Sequence, residues 1–166
     1  MVVVLDFGED RSKFKAFDYT YTLDVTNCRE LTLEAIDVPD TIPSTAPSRL
    51  SVSSRIHTTE HSTVFRVTDG EQLFVVKFAL WSGIPTDDLE TEVGNYNKLS
   101  HIQGTVIPKF FGHYRAEKEE MFKKDKTRVI SCIILEDCGN SIPLGHWSYL
   151  DKQATYVTFH IVNICV

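Results

Sequence analysis

The sequence predicts an α+β fold: a five-stranded antiparallel sheet with one main helix, preceded by a β-rich N-terminal segment. Three observations carry this. Short runs rich in β-branched and aromatic residues recur along the chain. Two of them flank Asp69-Gly70, a dipeptide suited to a hairpin turn. One stretch, "DDLETEVGNYNKLSH", instead spaces its apolar residues three and four apart, as a helix requires.

The elements follow in order. Residues 1–38 hold three strand-like runs, "VVVLD", "FDYTYTLDV" and "LTLEAIDV". Residues 39–48, "PDTIPSTAPS", are rich in Pro, Ser and Thr, which favours an extended linker and a domain boundary. Residues 49–142 then form the main unit. "RLSVSSRI", "STVFRVT" and "LFVVKFAL" read as three strands able to pair as an antiparallel meander. "SGIPTDD" is a loop ending in a helix start, where Thr86 or Asp87 can cap a helix running roughly from Asp87 to His101. "IPKFFGHYRAE" and "RVISCIILED" supply the fourth and fifth strands. Residues 143–166 read as a tail, or as the start of a further lobe cut short.

Composition bounds the function. The chain has 166 residues and a net charge of -6, which argues against a non-specific nucleic-acid binder. The one base-rich run, "KEEMFKKDKTR", also holds three acids and reads as a solvated loop. No stretch reaches the roughly 18 apolar residues of a membrane span, and no signal peptide is evident. Cys28, Cys132, Cys138 and Cys165 form no C-x-x-C pair. The expectation is an intracellular, cytoplasmic protein with free thiols and no membrane partner.

Chemistry concentrates at one lysine. In "EQLFVVKFAL", Lys77 interrupts an apolar strand. In the next helix, Leu89, Val93, Tyr96 and Leu99 make an apolar stripe, and Glu92 lies on it while Glu90 points away. A buried ammonium and a buried carboxylate are each costly alone, so the expectation is that they meet.

"VVK" on a third strand, a helix carrying Glu92, and two strands ending in "IILEDCG" resemble the N-terminal lobe of a eukaryotic-type protein kinase. "EVGNYNKLSHIQGTVIPKFFGHY" is particularly similar to kinase-like proteins of fungi. The resemblance covers roughly residues 49–142 and implies the fold of such a lobe. It also implies ATP with Mg as cofactor. Lys77 would hold the α- and β-phosphates and Glu92 would orient it. Val64 and Val75 would cover the base, Leu135 would back the adenine pocket, and Glu136 to Cys138 would be the hinge. The implied activity is phosphotransfer to protein Ser/Thr, provided a complete second lobe exists.

The chain departs from the family in two places. Counted back from Val64, the three glycine positions of the phosphate loop hold His57, Thr59 and Ser62. No H-R-D loop or D-F-G motif follows Gly139. The chain alone is therefore expected to be inactive. "DFG" does occur at Asp6–Gly8, ahead of the lobe, where it reads as a strand ending in a Gly turn.

Two alternatives stand beside ATP binding. One is a non-catalytic, pseudokinase-like interaction module, self-associating or taking a protein partner through the face left by the missing lobe. The other is a zinc peptidase, because "HTTEH" matches H-x-x-E-H. On a helix, His57 and His61 would share a face, with Glu60 as base and Glu136 as a distant ligand. The flanking residues favour strands, so no metal is assigned.

Overall fold

Alternation decides which strand faces turn inward. Val3 and Leu5, then Leu31 and Leu33, then Leu50 and Val52 are buried, and the residues between them face outward. A computed structural model describes residues 1–9, 29–39, 48–58, 62–79, 84–119 and 127–139. It contains β1 (Val2–Asp6), β2 (Glu30–Asp37), β3 (Arg49–Thr58), β4 (Ser62–Thr68), β5 (Leu73–Ala79), α1 (Ile84–Lys98), β6 (Phe110–Glu119) and β7 (Thr127–Glu136). A short 3-10 turn, Ser100–Ile102, follows the helix.

These strands close into a mixed seven-stranded barrel in the order β1-β2-β6-β7-β5-β4-β3. The expected five-stranded antiparallel sheet of a kinase-like N-lobe is thereby overturned. The five strands from β3 to β7 are present, but they do not end in open edges. β2 pairs with β6, β1 pairs with β2, and β1 then runs parallel to β3 through Val4–Asp6. The physical reason is twofold. An exposed strand edge leaves backbone donors and acceptors unpaired. The first two strands each carry an apolar face that needs covering, and joining the ring meets both needs. The run "FDYTYTLDV", most of the linker and residues 143–166 lie outside the described residues.

The barrel interior is filled. Phe65 of β4 meets Phe7, just past β1, at 5.7 Å and Phe78 of β5 at 6.1 Å, both edge-on. Arg49 seals the rim of the parallel seam, donating to Asp6 at 2.5 Å and to Glu30 at 2.7 Å. The "DFG" at Asp6–Gly8 is a strand end. Asp6 accepts the Gly8 N–H at 2.8 Å, Gly8 adopts φ 70, and Phe7 is a core residue. That Gly8 bond first, and the Arg49 guanidinium second, hold the Asp6 carboxyl below the usual carboxylate range.

One turn and one bulge shape the strands of the ring. At Asp69-Gly70 the Asp69 carboxylate accepts N–H groups from Glu71 and Gln72, and Gly70 takes φ 105. In β6 the register against β7 shifts at Phe110/Gly112. Gly112 sits there at φ 134, and an added Cβ would lie 3.1 Å from the Asp37 carbonyl and 3.0 Å from the Tyr114 ring. Glycine admits both the backbone conformation and the close approach of β2.

The helix lies on the outside of the barrel. Leu89, Val93 and Tyr96 are buried against Ala79, Phe110, Ile133 and Leu135, which forms a second core between helix and strands. Tyr96 stacks on Phe110 at 5.3 Å. The helix starts three residues before the expected Asp87. Pro85 falls in its first turn, where a missing N–H costs nothing. Thr86 and Asp87 are therefore helical and do not cap it.

Candidate functional site

β5 presents its two faces to different surroundings. Phe74, Val76 and Phe78 point into the barrel. Val75, Lys77 and Ala79 point outward toward α1 or its margin. Lys77 pairs across the sheet with Val64 on one side and Ile133 on the other. Its ammonium reaches past these neighbours to the helix, where Nζ donates to Glu92 Oε2 at 2.7 Å. The side chains are 20% and 11% exposed, so the pair is largely but not fully desolvated. The spacing of the helical stripe brought these two groups together as expected.

Burial pushes the Glu92 carboxyl up, against the opposing pull of Lys77. Its second oxygen, Oε1, is buried with no hydrogen-bond partner among the described residues. A cleft of ≈ 110 Å³ opens beside the pair, lined by Ser62, Lys77, Phe78, Ala79, Asp88, Leu89 and Glu92. Binding pockets for whole organic ligands usually span about 300–1,000 Å³. This cleft therefore takes a group the size of a phosphate and leaves the remainder of any larger ligand outside it.

The other expected site residues fall at different depths. Val64 is buried and Val75 half-buried on the outer face near Lys77. Leu135 is wholly buried in the layer under α1, packed with the helix core. Glu136 is engaged twice by the segment before β6. Its N–H donates to the Lys109 carbonyl at 2.9 Å, and its Oε2 accepts the Lys109 N–H at 3.0 Å. Cys138 is exposed just beyond β7, and Cys132 is buried inside the barrel, where burial pushes its thiol well up. Cys132 is a free thiol. Cys28 and Cys165 lie outside the described residues.

The zinc arrangement does not form at its first ligand. His57 is on strand β3, paired with Val64, so the required helix is absent there. Thr59, Glu60 and His61 lie outside the described residues. Among the described residues no three metal-ligating side chains gather.

Two features escaped the sequence reading. One is the pair Arg66–Asp137. Arg66 Nε donates to Asp137 Oδ2 at 2.5 Å and its Nη2 to Oδ1 at 3.3 Å, and Oδ1 also accepts the Gly139 N–H. The alternation that put Val64 outward also puts Arg66 outward, but its partner lies 71 residues away. The other is His113 on β6, buried opposite Asp37 of β2, with Nε2 lacking a partner among the described residues.

Burial holds the His113 imidazole below its usual range, against the opposing pulls of Glu90 and Asp37. The folded protein keeps it neutral where the unfolded chain takes up a proton. Its contribution to stability is thus complete above the ordinary pKa of 6.5 and is lost as pH falls below that. The loss is at most about 1.4 kcal/mol per pH unit. Glu92 acts with the opposite sign. Its raised carboxyl favours the folded state at low pH, and that advantage fades as pH rises above 4.5 through its folded value. Urea unfolding at pH 7.5 and 5.5 should show a larger acid loss for the wild type than for His113→Phe; equal losses would contradict the assignment.

No family model, curated protein or solved structure matches the chain. Among the described residues no helix is long and apolar enough to cross a membrane.

Proposed function

We propose that this chain binds a phosphorylated ligand at Lys77, with ATP and its Mg as the ligand class, and that binding rather than phosphotransfer is what the site does. The observation that carries the reading is the Lys77–Glu92 pair at 2.7 Å on the wall of a phosphate-sized cleft. A lysine ammonium has three donors, and one bond to Glu92 orients the group while leaving others for phosphate oxygens. Lys77 would hold the phosphate. Mg is commonly held by one or two carboxylates together with substrate phosphates, and Asp88 is the carboxylate on the cleft mouth suited to that part. When bound, Mg would neutralise phosphate charge beside Asp88 and Glu92. Val64 and Val75 would flank the part of the ligand outside the cleft.

Differential scanning fluorimetry with millimolar Mg-ATP tests this. Saturation at 100 times Kd adds about 2.7 kcal/mol, which shifts the midpoint by several degrees. Lys77→Met should abolish the shift. No shift for the wild type would remove the nucleotide reading and leave an interaction module in its place.

A further inference from the structure

The outer face of the barrel beside α1 is laid out in rows. Val64, Lys77 and Ile133 stand abreast on β4, β5 and β7, and Arg66, Val75 and Leu135 form the next row. Residues diagonal across neighbouring strands lie about 7–8 Å apart, so Arg66 is one step beyond Lys77 on the same face. Each cation is held by a different carboxylate. Glu92 comes from the helix, and Asp137 comes from the chain just after β7.

The two pairs differ in kind. Lys77 and Glu92 share one hydrogen bond, whereas Arg66 and Asp137 share two, and the Asp137 side chain is only 3% exposed. Asp137 Oδ1 also fixes the Gly139 N–H, so the exit from β7 is tied to β4. On the other side Glu136 is tied to Lys109. The Arg66 guanidinium is thus a rigid, planar, partly exposed cation at 22%. Guanidinium faces stack on aromatic rings, and a lysine cannot reproduce that plane or its two-pronged bond.

We propose that Arg66, locked by Asp137, is the specificity-determining residue for the end of the ligand away from Lys77, selecting a planar base over a bare polyphosphate. This rests on the phosphate reading of Lys77 and adds to it a second contact of different chemistry. A ligand anchored at Lys77 passes Val75 and meets the Arg66 plane one row on. The base therefore stacks where the β7 exit is held still.

The test compares Mg-ATP with Mg-tripolyphosphate on the folded wild type, Arg66→Lys and Arg66→Met, by calorimetry. The expected result is ATP binding weakened about tenfold in both variants with tripolyphosphate binding unchanged. Arg66→Lys keeps the charge and serves if Arg66→Met does not fold. Equal weakening of both ligands, or of neither, overturns the role of Arg66 while leaving the Lys77 site standing. A wild type that binds neither ligand overturns both readings. Lys77→Met should weaken ATP and tripolyphosphate alike, which separates the two residues.

Discussion

Phe65→Ala will lower the free energy of unfolding by about 3–5 kcal/mol, measured by urea titration. Domains of this size are stable by about 5–15 kcal/mol in total, so the variant sits close to the edge of folding. Phe65 is 1% exposed and occupies the middle of the barrel filling. Its ring touches Phe7 on one side and Phe78 on the other. Phe7 belongs to the segment after β1 and Phe78 to β5, so a hole at Phe65 loosens the seam and the meander together. Collapse cannot close the hole, because the ring of strands sets its own diameter. Phe65→Leu, which keeps most of the volume, should cost less than half as much. A loss below about 1 kcal/mol for the alanine variant would mean that the interior is not packed as described.

The Lys77–Glu92 pair gives the second large effect. Glu92→Leu and Lys77→Met should each cost about 2–3 kcal/mol, somewhat under the usual 3–5 for a fully buried pair because both groups keep some water. Lys77→Met/Glu92→Leu should return to within about 1 kcal/mol of the wild type, since no unpaired charge is left behind. The coupling between the sites is then about 3 kcal/mol or more. Additive single effects would show that the two groups do not depend on each other. The double variant also separates stability from binding: it should fold, yet give no thermal shift with Mg-ATP. A shift in the wild type that the folded double variant lacks is the result expected if the pair is kept for a ligand.

Local features were readable from the residues. Asp69-Gly70 announced its turn because the carboxylate and the glycine both act within four residues. Lys77 and Glu92 could be matched because helical spacing states which face a residue occupies, and a charge on an apolar face needs an answer. Closure was a different matter. Alternation in "VVVLD" and "LTLEAIDV" says that each strand has one covered face, but not which strand lies alongside. The pairing of Val4 with Arg49, or of Glu34 with Arg115, spans long stretches of chain and leaves no periodic mark. The same local patterns serve an open sheet and a closed one. Arg66 and Asp137 were hidden for that reason too. His113 carried no signal, since an isolated histidine on a strand is ambiguous until its cover is known. The helix begins ahead of the predicted Asp87 because Pro85, which reads as loop in the sequence, suits a first turn.

The parallel seam between β1 and β3 is only three residue pairs long, yet it completes the ring. With it in place, β1 and the start of β3 present no bare amides and carbonyls on which a second chain could template itself, whereas β3 beyond Ser51 pairs only with β4. Deleting the first six residues would strip one flank from β2 and from the start of β3 at a stroke, and the barrel would acquire two further adhesive borders.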